Sequence, residues 1–352
     1  MKILFAATEI GSFNSVFPCY LEYKSEFECL FYSSSLAKEN VSIDKIFEPK
    51  DAGLKQLLIE NRVKILVYSV NIHSEKVLKL AKCCKELNIK LIHILDYWNG
   101  YIERMTLNSE IVLPDIYVVP DQKAYHEAVK FGVPAKIISV GGNPAFSNYL
   151  KKFIAIKSEF SNQELKDEYE SNLAFISEPV HKDQGDIGSI GSRGYTEYSV
   201  LNNLYDAINH RMDIKIDIFP HPRQDIQQLK EFLERFDKNI FLFREKNHKL
   251  ISSNINRYKG IIGMSSTVLY EAWLIGFPVL SLQPNLKIKS LNEAMNRDGI
   301  KIITNQTAMK ESIRKWINSV YNNTQSSELR IKELQIHADS IARIRNLILS
   351  YI

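Results

Sequence analysis

Cysteine is scarce in this chain: four in 352 residues, Cys19, Cys29, Cys83 and Cys84, two of them adjacent. No spacing among them suits a tetrahedral metal site or a disulfide framework, so reduced thiols in a cytoplasmic protein are expected. Long apolar runs are missing as well. No uncharged stretch reaches the roughly 18 residues that a membrane-spanning helix needs. The apolar start, Lys2 to Ala7, breaks off without an export cleavage pattern. The formal net charge is only +4, and aromatic and basic residues nowhere interleave as on a nucleic-acid surface, which sets DNA and RNA aside as partners. Low-complexity tracts and solenoid-spaced repeats are absent too. So is an Asp-x-Asp pair at a strand end, the arrangement that would hold a divalent ion against a diphosphate. Catalysis without a metal or a cofactor is therefore expected.

What is present is a double alternation of strands and helices. At 352 residues the chain outgrows one ordinary core and suits two domains of about 150–200 residues. Short apolar runs at Lys2 to Ala7, Lys64 to Val70, Lys90 to Leu95, Ile116 to Val119 and Lys136 to Val140 alternate with helical patterns such as Ser74 to Leu87. This predicts an α/β domain with a parallel sheet over residues 1–146. A charged, polar stretch over 147–171 reads as a connector. A second alternation then runs over 172–325, and 326–352 reads as a terminal helix.

The most informative string is Gly263 to Pro284, GMSSTVLYEAWLIGFPVLSLQP. It reads as a small-residue turn, a helix and a buried strand. Ser265, Ser266 and Thr267 sit where the loop enters the helix, and the hydroxyls and unpaired N–H groups at its positive end suit a phosphate. Glu271 follows about one turn later, within reach of a sugar or ribose hydroxyl. Upstream, the strand Ile214 to Phe219 runs into Pro220-His221-Pro222-Arg223. An imidazole there would stabilise charge growing on a departing phosphate, and Arg223 would add a forked contact. A helix-capping histidine with a solvated arginine is the plainer alternative. The loop from Glu178 to Tyr195, with glycines at 185, 188, 191 and 194, is long enough to fold over a ligand.

These two motifs carry a resemblance. Ser265-Ser266-Thr267, Glu271-Ala272 and Gly276-Phe277-Pro278-Val279 resemble the donor-binding segment of GT-B-type glycosyltransferases and the related nucleotide-sugar epimerases. Pro220-His221-Pro222 is similar to the His-Pro motif of bacterial sialyltransferases and polysialyltransferases, which precedes a serine-rich motif by a few dozen residues. The resemblance covers mainly residues 171–285. It implies a GT-B fold: two Rossmann-like domains with a cleft between them and a C-terminal helix crossing back. It also implies a metal-independent transferase with a CMP-activated nonulosonic acid as preferred donor, its phosphate met by His221 and the serines. The acceptor would be a glycan or lipid-linked glycan of the bacterial surface, met in the cytoplasm or peripherally at the inner membrane face. The acidic base motif of that family finds only a loose match, Asp51-Ala52-Gly53.

Two strand-end clusters of the first domain are candidates for the acceptor and sugar. One is Thr8 to Asn14, read as a loop with Glu9, Gly11, Ser12 and Asn14; the other is Asp96 to Arg104, with Tyr97, Trp98, Asn99 and Arg104. Rings interleaved with polar groups suit a sugar. Asp96, or else Glu9, would be the base; Asp96 as a cap with the aromatics in the core is the alternative. Two other functions remain open: a UDP-sugar 2-epimerase or nucleotide-sugar hydrolase of the same fold, and a non-catalytic nucleotide or sugar-binding module.

Overall fold

The computed structural model describes residues 1–33, 46–47, 53–72, 75–147, 150, 173–211, 213–244, 258–289, 293–320 and 328–351. Asp51, Ala52 and all of the expected connector except residues 147 and 150 lie outside them. The chain divides into two compact units, Met1–Lys151 with Glu333–Ile352, and Lys152–Lys332.

In the first unit the apolar runs form a parallel sheet because both of its faces are covered, which lets a strand be apolar throughout. Its strands are β1 (Lys2–Ala6), β2 (Glu28–Tyr32), β3 (Ile46–Phe47), β4 (Val63–Tyr68), β5 (Lys90–Ile94), β8 (Ile116–Val119) and β9 (Ile138–Val140), in the order β3-β2-β1-β4-β5-β8-β9. A small antiparallel pair, β6 (Thr106–Leu107) and β7 (Glu110–Ile111), stands apart from it. The helices are α1 (Ile10–Tyr23), α2 (Leu54–Glu60), α3 (Glu75–Glu86) and α4 (Gln122–Lys130). One face of the sheet packs Leu4, Leu66 and Tyr68 with Leu58, Val77 and Leu80; the other packs Ile3, Phe5 and Val67 with Val16, Phe17 and Tyr20.

The expected loop at Thr8 to Asn14 is instead the start of α1, with Glu9 as its N-cap and Pro18 inside it. Proline removes a hydrogen bond from a helix interior. Here aromatic packing offsets that loss: the Phe13 and Phe17 rings stack at 4.7 Å, and Tyr20 meets Phe31 edge-on at 5.3 Å.

Residues Glu333–Ile352 complete this unit with the last six residues of α10 (Glu328–Ala338) and with α11 (Ser340–Leu349). Ile341, Ile344 and Ile348 join the core of β1 and α1. The Tyr23 hydroxyl donates to the Ile341 carbonyl, and Arg345 forks onto Glu26 at 2.8 and 2.5 Å. Gly142, at φ +83°, lies so close to α10 that a Cβ there would stand 2.5 Å from the Ile336 carbonyl oxygen. Beside it the Asn143 N–H donates to His337 Nδ1 at 3.0 Å.

The second unit repeats the architecture. Its strands β10 (Leu173–Ile176), β11 (Ile216–Phe219), β12 (Phe241–Phe243), β13 (Gly260–Gly263), β14 (Val279–Leu282) and β15 (Ile300–Ile303) pair in parallel, in the order β12-β11-β10-β13-β14-β15. The helices are α5 (Val180–Gln184), α6 (Glu197–Ile208), α7 (Ile226–Leu233), α8 (Thr267–Leu274) and α9 (Met309–Val320). Thr196 caps α6 in a reciprocal box with Ser199. Both units thus have the Rossmann-like build expected from the alternation.

Gly142→Ala combines a left-handed backbone with a backbone clash. It should destabilise the chain by about 2 kcal/mol or more, read as a lower midpoint in urea unfolding, whereas alanine at Gly132, which has no atom within 4 Å of its Cβ position, should cost less.

Candidate functional site

Strand register brings three loops together in the second unit. Ile176 of β10 pairs with Phe219 of β11 on one side and Gly263 of β13 on the other. The segments that follow these strands therefore leave the carboxyl edge of the sheet side by side, the usual ligand-binding edge of a parallel sheet. A pocket of about 210 Å³ opens there, lined by residues that include Glu178, Asp183, Arg193, His221, Arg223 and Thr267.

Helix α8 starts at this edge. Ser266 is its N-cap, the hydroxyl accepting the Val268 N–H at 3.3 Å. The donors expected to meet a phosphate are already engaged. Glu178 Oε1 accepts the N–H groups of Ser265 and Ser266 at 2.6 and 2.8 Å, and Oε2 accepts the Ser265 hydroxyl at 2.9 Å. The guanidinium of Arg193 stands 3.6 Å from the same carboxylate and donates to Ser265 Oγ at 3.2 Å. Thr267, the first residue of α8, remains on the pocket wall.

His221 also lies on that wall. Its Nδ1 accepts the Arg223 N–H at 3.1 Å, which places the ring proton of the neutral imidazole on Nε2 and makes that atom a donor. The fork of Arg223 is closed on Asp183, with bonds of 2.8 and 2.9 Å, so the contact foreseen for a phosphate is made to a carboxylate instead. Arg193, which the sequence reading passed over, is held by its own backbone: its N–H donates to Gln184 Oε1 and its carbonyl accepts the Lys287 N–H at 2.8 Å. That placement depends on the next residue. Gly194, at φ +98°, has the Asn285 carbonyl oxygen 2.1 Å from where a Cβ would be. An arginine between glycines in the long loop was the signal for it; Glu178, 87 residues from Ser265, left none.

Glu271, one turn into α8, is half-buried, and burial alone pushes its carboxyl up to about 7. Among the described residues no group of three or more His, Cys, Asp or Glu is placed to hold a metal ion, and no helix is long and apolar enough to cross a membrane.

In the first unit, Asp96 sits at the end of β5 in a network of its own. Arg104 Nη1 donates to Asp96 Oδ1 at 2.5 Å and Ser12 to Oδ2 at 3.2 Å, while Gly11 leaves only 3.1 Å between its Cβ position and that oxygen. Arg104 is fixed in turn by the Val70 and Asn99 carbonyls, each at 2.8 Å, and by Asn99 Oδ1 at 3.1 Å. Burial raises the carboxyl of Asp96 above its ordinary range, against the opposing pull of Arg104. Gly11, Ser12, Asp96, Asn99 and Arg104 are thus gathered in one place. Glu9 and Asn14 sit at the more open start of α1. Trp98 does not present a ring to a sugar: it is 1% exposed, its Nε1 donates to Asp121 at 2.5 Å, and Tyr97 packs edge-on against it.

No protein-family model and no curated protein sequence matches this chain. Solved structures do. The UDP-GlcNAc 2-epimerase of Methanocaldococcus jannaschii superposes with a TM-score of 0.67 at 14% identity, over 100% of both chains. That of Neisseria meningitidis, bound to UDP-GlcNAc, gives 0.66 at 14% identity over 99% of this chain and 100% of that one. MurG of Acinetobacter baumannii gives 0.62 at 10% identity over 99% of each. Identities this low establish the fold, and the fold is of GT-B type. The same findings overturn the expectation of a sialyltransferase-like enzyme that moves a CMP-activated nonulosonic acid onto a surface glycan: the matching structures are named as UDP-GlcNAc 2-epimerases and MurG.

The half-buried carboxyl of Glu271 has a measurable consequence. With its pKa raised from 4.5 to about 7, the folded chain keeps a proton that the unfolded chain gives up. The group's contribution to stability is therefore complete below pH 4.5 and lost as pH rises through 7. Glu271→Gln should match the wild type near pH 4.5 and exceed it at pH 8, by on the order of 2 kcal/mol, in urea unfolding at the two pH values.

Proposed function

We propose that this chain is an enzyme acting on a UDP-sugar, an epimerase that inverts carbon 2 of the sugar. The observation that carries the reading is the strand-end pocket of the second unit. It places two guanidinium groups, an imidazole donor and the start of α8 around one space, with Glu271 a turn further on. A diphosphate needs such a concentration of donors, here held by Glu178 and Asp183 of the chain itself, and a carboxyl beyond it suits the paired hydroxyls of a ribose. The whole-length likeness to enzymes named as UDP-GlcNAc 2-epimerases, one of them bound to UDP-GlcNAc, supports the same reading.

Inversion at carbon 2 takes a proton off one face and returns one to the other. The electron pair of the broken C–H bond forms a carbon 1–carbon 2 double bond as the carbon 1–oxygen bond breaks and the diphosphate leaves with its electrons. Re-addition of the diphosphate at carbon 1, with protonation at carbon 2, closes the cycle. Asp96 is the carboxylate we assign to proton transfer. Burial brings its pKa towards the range where a carboxyl can give and take a proton, and Arg104 and Ser12 hold its two oxygens in fixed directions. His221 is assigned to the phosphate, its Nε2–H donating to charge that grows there. Gly11 and Asn99 are assigned to the space around the sugar, Thr267 and Glu271 to the nucleotide.

The test is incubation with UDP-N-acetylglucosamine alone in D2O, followed by proton NMR. A second sugar nucleotide with deuterium at carbon 2, formed without any acceptor, is the expected result. UDP binding with the sugar left unchanged would point to a non-catalytic module and overturn the reading. In the same assay His221→Ala should lower kcat by roughly a hundredfold while its melting temperature stays within a few degrees of wild type.

A further inference from the structure

The place a phosphate would take at the start of α8 is occupied by part of the protein. The Glu178 carboxylate uses the Ser265 and Ser266 N–H groups and the Ser265 hydroxyl, with Arg193 behind it. These are the donors a phosphate takes at a helix N-terminus. Asp183 stands in the same relation to Arg223, holding both arms of its fork. Each arginine of the pocket therefore faces a carboxylate of the chain.

Two buried donors beside Glu178 are left over. Arg193 Nε has no hydrogen-bond partner, and neither has the hydroxyl of Tyr195, which is 1% exposed and lies beside Arg193, Ser265 and Glu178. A buried donor without a partner costs about 1–3 kcal/mol, so a native fold that keeps two of them next to an anion site has a use for them. A carboxylate has two oxygens, and both are committed. A phosphoryl group has more oxygens, spread tetrahedrally, and can reach donors that a planar carboxylate misses. Glu178 also borders the open pocket, which leaves its side chain somewhere to go.

We infer that Glu178 is the internal competitor of the ligand's phosphate. The ligand is the pyrophosphate group of a nucleoside diphosphate. On binding, it displaces the Glu178 carboxylate from the start of α8, takes over Ser265, Ser266 and Arg193 Nη1, and engages Arg193 Nε and the Tyr195 hydroxyl. No covalent bond is made or broken. The tethered carboxylate acts at a high effective concentration, so the affinity observed is the intrinsic one reduced by the fraction of time the seat is empty. The nucleotide part of this inference rests on the UDP-sugar reading; the anion part does not.

The experiment is calorimetric titration of the full chain with sodium pyrophosphate and with UDP, for wild type, Glu178→Gln, Glu178→Ala and Tyr195→Phe, each checked for folding by circular dichroism. Glu178→Gln keeps the shape and weakens the hold, which guards against a poorly folded alanine variant. Both ligands should bind the Glu178 variants at least tenfold more tightly than wild type. Tyr195→Phe should weaken both by several-fold while leaving the melting temperature of the ligand-free chain unchanged or higher, because the hydroxyl has no partner to lose. Equal or weaker binding of pyrophosphate by folded Glu178→Gln overturns the inference and makes Glu178 a fixed strut. If UDP binds wild type and Glu178→Gln gains nothing, the UDP-sugar reading survives and the displacement does not. If pyrophosphate gains tenfold while UDP binds no form more tightly than pyrophosphate does, the displacement stands and the UDP-sugar reading falls.

Discussion

A helix that begins at the edge of a sheet leaves its first backbone N–H groups without partners. In the second unit that single constraint accounts for much of the surrounding structure. Because β10 and β13 are neighbours, the second residue past the end of β10 can reach the turn that opens α8, and Glu178 does so with two N–H bonds and a hydroxyl. A buried carboxylate then calls for a counter-charge, which Arg193 supplies. Holding Arg193 there fixes the path of the glycine-rich loop: Gly194 must pass within contact of the Asn285 carbonyl, and the Lys287 N–H ties the Arg193 carbonyl down. One unmet electrostatic need at a helix end thus propagates through four segments far apart in sequence.

The first unit solves a related problem differently. Arg104 is buried and the Asp96 side chain nearly so, and burying an ion pair is costly unless the remaining donors and acceptors are met. Here the guanidinium is spread over two carbonyls, an amide oxygen and the carboxylate, while Ser12 takes the second carboxylate oxygen. Close by, His93 lies stacked on Tyr68 at 4.6 Å, and burial lowers its pKa to about 3. One cation is accommodated in that region; a second, on the imidazole, is not.

Local chemistry was legible in the sequence, and long-range partnership was not. The strand Ile116–Val119, the turn and helix entry at Ser265 to Thr267 and the cap at Thr196 lie where apolar runs and capping residues place them. Helix α1 escaped because Gly11, Ser12, Asn14 and Pro18 are residues of loops and breaks; what sustains it is packing against Phe31 of the next strand, which no short window contains. Trp98 looked like a sugar platform because an aromatic beside Asp and Asn suits one, yet its indole N–H is committed to Asp121, 23 residues on. The serines did come to stand at a helix N-terminus. That the anion meeting them belongs to the chain itself depends on strand order, and strand order has no local signature. The CMP preference rested on a short His-Pro string, and likeness over the full length outweighed it.

Residues 1–151 share their core with residues 333–352, and some 180 residues that fold elsewhere lie between them. During synthesis the first unit therefore leaves the ribosome with the apolar surface that Ile341, Ile344 and Ile348 will later cover still exposed. The intervening unit, contiguous in sequence, has all its parts before that surface is closed. Of the two units, the one begun first is completed last, and until residues 333–352 arrive that face of its core stands uncovered.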